Sequence, residues 1–77
     1  MAARVIEWNE LRPGMEVWED WLYGTGTFCT KVVSRGTVEG QFRFQRLNGV
    51  SYLARDSREY RFWDTEPTME EREFTAW

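Results

Sequence analysis

Apolar residues in this chain fall in short runs broken by turn residues, with no stripe at helical spacing. Phe42 and Phe44 alternate with Arg43 and Gln45, and Tyr60 and Phe62 alternate with Arg61 and Trp63. A period of two places each set on its own side of a strand, one apolar and one wet. Stretches rich in β-branched and aromatic residues, Met15 to Trp21, Thr27 to Ser34, Gln41 to Leu47, Val50 to Ala54 and Tyr60 to Asp64, predict five strands. The Asn48-Gly49 pair predicts a type I′ hairpin between the third and fourth strands. Tyr23 to Gly26 and Arg35 to Gly40 predict longer loops. Beyond Asp64 the pattern changes: Thr68 precedes Glu71 by three residues, the spacing of a capping box. A short C-terminal helix over about 68–76 follows, with Met69, Phe74 and Trp77 expected to turn toward the strands.

Five short antiparallel strands cannot leave two long edges open without inviting association, so a small sheet is expected to curl on itself. The fold expected is therefore mainly β: a small SH3-like five-stranded antiparallel barrel over about 11–64 with the C-terminal helix appended, one domain over residues 1–77. Phe28, Phe42, Phe44, Phe62, Val17, Val32 and Leu53 are expected to fill its interior. An OB-type barrel is disfavoured, because it needs a helix between its third and fourth strands, where this chain has Asn48-Gly49.

Composition narrows the chemistry. The 77 residues include five Trp, five Phe and three Tyr, no His and one Cys. Without histidine the commonest general base and metal ligand are missing, and Cys29 alone makes neither an internal disulfide nor a cysteine-based zinc site. A short chain also has little material for a water-excluding cleft around carboxylates. No enzyme, cofactor or metal is expected. The N-terminal residues show no apolar signal run, and no stretch of 18 apolar residues occurs, so a membrane span is not expected and a cytoplasmic location is.

Charge is unevenly placed. Residues 1–30 carry a net −3, residues 31–61 a net +4 and residues 62–77 a net −4. Arg43, Arg46, Arg55, Arg58 and Arg61 form a candidate basic strip, able to meet phosphate or an acidic surface, or else to pair with the acids of the two ends. Internal pairing is favoured, because the pI near 4.9 is far from that of a nucleic-acid binder. Trp18, Trp21, Tyr23, Tyr52 and Trp63 exceed what one small core is expected to hide, and tryptophan, tyrosine and arginine are the residue types that dominate binding hot spots. Glu16, Glu19 and Asp20 with Glu70, Glu71 and Glu73 are read as a solvated acidic face rather than a mimic of nucleic-acid phosphates.

The opening Leu11 to Trp18, the run Tyr60-Arg61-Phe62-Trp63 and the ending from Glu66 to Trp77 resemble small accessory proteins encoded by phages and prophages of Gram-positive bacteria. The resemblance carries no catalytic residues. It implies a protein that acts in the bacterial host cytosol by contact with a host protein, as an inhibitor of a defence system in the manner of an anti-CRISPR protein. The reading of the chain is thus a non-enzymatic protein-binding module. The alternatives are single-stranded nucleic-acid or nucleotide binding, with bases stacked on Trp or Tyr, and a homodimer joined through the surplus rings.

Overall fold

The computed structural model describes residues 2–24 and 26–75. Six strands make one antiparallel sheet: β1 (Val5–Ile6), β2 (Glu16–Trp21), β3 (Thr27–Arg35), β4 (Phe42–Arg46), β5 (Ser51–Ala54) and β6 (Tyr60–Trp63). A 3-10 turn, Trp8–Glu10, follows β1, and one helix, α1 (Met69–Phe74), ends the chain. Five strands match the expected positions to within a residue or two. The sixth, β1, has two residues, too few to show a period. The strand order is β1-β6-β2-β3-β4-β5, so the sheet is open, with β1 and β5 as its edges.

The sheet is nevertheless strongly curled. Phe44 on β4 and Phe62 on β6 lie three strand positions apart, which in a flat sheet separates them by roughly 14 Å. Their rings stack with centroids 4.8 Å apart. On the concave side Ile6, Leu11, Val17, Val32, Phe42, Phe44 and Phe62 form the core. The register slips between Val32 and Ser34, a bulge of the kind that bends a strand and adds twist. Trp8 closes the open side. Its ring meets Phe42 at 5.7 Å and Phe44 at 5.9 Å on β4, and Tyr60 at 6.2 Å and Phe62 at 5.9 Å on β6, while its Nε1–H donates to the Gly40 carbonyl at 2.8 Å.

Four expectations need correction. Phe28 and Leu53 are 46% and 41% exposed and do not belong to the interior. Trp63, expected outside, is buried on the convex side. This strand is thus enclosed on both faces instead of one, and its Arg61 ties it to the end of α1. The β4–β5 turn is not type I′. Only Gly49 has positive φ, at 93°, with Gly49 N–H donating to the Arg46 carbonyl and Arg46 N–H to the Val50 carbonyl, which is a type I turn closed by a glycine bulge.

The capping box of α1 forms as expected: the Thr68 hydroxyl accepts from Glu71 N–H at 3.1 Å, and the Glu71 carboxylate accepts from Thr68 N–H at 2.9 Å. Met69 and Phe74, expected to pack inward, are 70% and 84% exposed, and Trp77 lies outside the described residues. So short a helix cannot stand alone. Polar contacts hold it in place.

Candidate functional site

Two consecutive carboxylates on β2 organise both sides of the sheet, and both are completely buried. Glu19 faces the concave side. It accepts from Tyr52 O–H at 2.5 Å, from Arg46 Nε–H at 3.2 Å and Nη2–H at 3.1 Å, and from Trp21 Nε1–H. The Arg46 guanidinium in turn lies 4.7 Å over the Phe28 ring and 5.1 Å over the Tyr52 ring. Burial, first, and the neighbouring Glu19 carboxylate push the Tyr52 phenol far above its ordinary range.

Asp20 faces the convex side. It accepts from Arg61 Nε–H at 2.9 Å and Trp63 Nε1–H at 3.1 Å on β6, and from Arg72 Nε–H at 3.0 Å on α1. Arg61 also donates to the main-chain carbonyls of Arg72 at 2.9 Å and Thr75 at 2.8 Å, satisfying the helix end that backbone bonding leaves open. The Arg61 guanidinium lies 4.8 Å over Trp63. With donors around both carboxylates, neither offers a lone pair to solvent for acid or base work.

The candidate residues therefore separate. Arg46 and Arg61 serve inside the fold, paired with Glu19 and Asp20, as internal pairing required. Arg43, Arg55 and Arg58 are exposed and make no ion pair among the described residues. Trp63 is buried, and Trp21 and Tyr52 are half-buried and tied to Glu19, Trp21 meeting Tyr60 at a tilt at 5.3 Å and Tyr52 stacking on Phe44 at 5.4 Å. Tyr23 stands 86% exposed. The acidic face loses Glu19 and Asp20 to the interior.

Trp18 borders an apolar depression. This groove of about 270 Å³ is lined by Trp18, Thr27, Phe28, Cys29, Arg46, Leu47 and Asn48. Leu47, at the tip of the β4–β5 turn, is 79% exposed beside it. Sequence reasoning missed Phe28 and Leu47 as surface residues. A visible signal for Leu47 was an apolar side chain placed directly before Asn48-Gly49, where a turn has no core to fill. Cys29 in the same groove is half-buried, and burial pushes its thiol above the ordinary range.

Among the described residues no group of three or more His, Cys, Asp or Glu side chains is arranged to hold a metal ion, and no helix is long and apolar enough to cross a membrane. No family model, curated protein or solved structure matches the chain.

Proposed function

We propose that this chain is a non-enzymatic protein-binding module whose contact surface is the groove of Trp18, Phe28 and Leu47. The observation that carries the reading is Leu47, a large apolar side chain 79% exposed on a tight turn at the rim of an apolar groove. Exposure of such a cluster costs solubility and is explained by a partner that covers it. Arg46, held by Glu19 at the groove's edge, adds a rigid cation of the kind enriched in binding hot spots.

The order β6-β2-β3-β4-β5, the curl of the sheet and Trp8 across its open side support an SH3-like barrel as the scaffold. The resemblance to phage accessory proteins extends the proposal to an inhibitor of a bacterial defence system acting through this contact. Single-strand binding is the weaker reading, because Arg46 and Arg61 are committed to buried carboxylates and, among the described residues, no Trp is exposed.

Immobilised chain, challenged with lysate of a Gram-positive host, is expected to retain a host protein at micromolar concentration. Leu47→Asp, on an exposed turn where the fold is indifferent, is expected to abolish retention. Equal retention by Leu47→Asp and Trp18→Ala variants removes the reading.

A further inference from the structure

We infer that the free edge of β5 is a docking track for an extended acidic segment of a protein partner, which joins the sheet as an added strand. β5 pairs with β4 alone and ends the sheet. The bond from Arg46 N–H to the Val50 carbonyl sets the alternation of the ladder. Counting by two from Val50, Tyr52 and Ala54 turn their main-chain groups toward β4, and Ser51 and Leu53 turn theirs outward. No further main-chain bond reaches Ser51 or Leu53 among the described residues. Such a row of outward N–H and C=O groups is a template for another strand.

The surroundings specify what binds. β4 and β5 contain no carboxylate, and Arg43 stands directly opposite Leu53 on the convex face. Arg55 follows β5, and Asp56 and Glu59 come only in the loop beyond it. Leu53 itself is 41% exposed between the two arginines. An incoming strand with carboxylates at alternate positions presents them on the convex face to Arg43 and Arg55, and its intervening apolar side chains turn to the other face, beside Tyr52 and Ala54. A second copy of β5 is disfavoured as the occupant, because it brings arginine against arginine. The inference extends the protein-binding reading to a second surface and shares with it only the kind of partner.

The test uses the full chain and a capped hexapeptide alternating Glu and Val. Binding is expected, weakening as salt rises, with the amide resonances of Ser51 and Leu53 shifting and their hydrogen exchange slowing. Arg43→Glu with Arg55→Glu is expected to weaken binding by roughly tenfold. Methylation of alternate peptide nitrogens, which leaves the protein untouched, is expected to abolish it. The inference is overturned if the methylated peptide or a Lys and Val peptide binds as well, or if shifts centre on Leu47 and Phe28. Sedimentation showing a dimer that competes with the peptide also overturns it. Leu47→Asp is expected to bind the peptide like the wild type, so failure at the β5 edge and failure at the groove are distinguished.

Discussion

Glu19 and Asp20 are neighbours in sequence with the same charge and the same complete burial, yet the pleat sends them to opposite sides of the sheet, where they do different work. Glu19 draws together concave-side groups already held by strands: Tyr52 on β5, Arg46 on β4 and Trp21 on its own strand. Asp20 joins the sheet to something the sheet does not otherwise hold, since Arg72 belongs to α1 and Arg61 caps the end of that helix. The partner of Glu19, Arg46, keeps 22% of its side chain exposed, against 8% and 18% for Arg61 and Arg72. A guanidinium near water rehydrates more readily when its partner is lost than one as enclosed as that of Arg61. Buried ion pairs contribute little net stability over apolar packing, but removing one member is costly. What these pairs supply is position.

The largest effect is expected from Asp20→Ala, which removes the buried carboxylate shared by Arg61, Trp63 and Arg72 and should cost about 3–5 kcal/mol in urea unfolding followed by tryptophan fluorescence. Amide exchange in α1 should accelerate in the same variant before the sheet unfolds. Glu19→Gln keeps the shape and much of the hydrogen bonding and leaves Arg46 a route to solvent, so a loss of about 1–3 kcal/mol is expected. Equal losses in the two variants would erase the contrast between the faces.

The concave side also responds to alkali. Burial raises the Tyr60 phenol from 10.0 to about 12, and Tyr52 is raised further. A group raised on folding gives stability that is complete below its unfolded pKa and disappears as pH climbs through the folded one. Unfolding should therefore become easier from about pH 10 upward, and tyrosinate absorbance should lag behind that of a denatured control. The smallest effect belongs to acid. Glu71 and Asp64 are lowered chiefly by the Thr68 and Arg4 main-chain N–H groups, and they also tie the N-terminal segment through Ala3 N–H and Arg4 N–H at 2.7 Å. Groups lowered on folding lose their contribution as pH falls through the folded pKa. Asp64 is exposed and Glu71 only half-buried, so faster exchange at the N-terminal segment below about pH 4 is expected with little change in global unfolding.

These contrasts bear on what the residues disclosed before the structure was known. The positions of β2 to β6, the turn at Asn48-Gly49 and the capping box of Thr68 and Glu71 are encoded within a few neighbouring residues and were legible, whereas the two residues of β1 were not. The type of that turn was not, because one positive φ instead of two depends on how β4 and β5 meet. Glu19 and Asp20 read as solvated acids, since their burial depends on Arg46, Arg61 and Arg72, which lie 27 to 52 positions away. Trp63 was misplaced for the same reason: its indole N–H is held by Asp20, 43 positions away, while α1 is tied down by Arg61 and Arg72 and leaves Met69 and Phe74 outside. Phe28 alternates correctly into the concave side but sits at its rim, beside Arg46, and a period of two says nothing about distance from the rim.

Trp8 adds a consequence for motion. Across the open side, β4 and β6 meet through side chains, the Trp8 indole and the Phe44–Phe62 stack, with no ladder of backbone bonds between them. Opening that seam breaks ring contacts and one bond to Gly40, leaving every strand pairing intact. The molecule can thus breathe along one line far more cheaply than it can unfold, and the rings of Phe42, Phe44, Tyr60 and Phe62 are the part of its core that water reaches first.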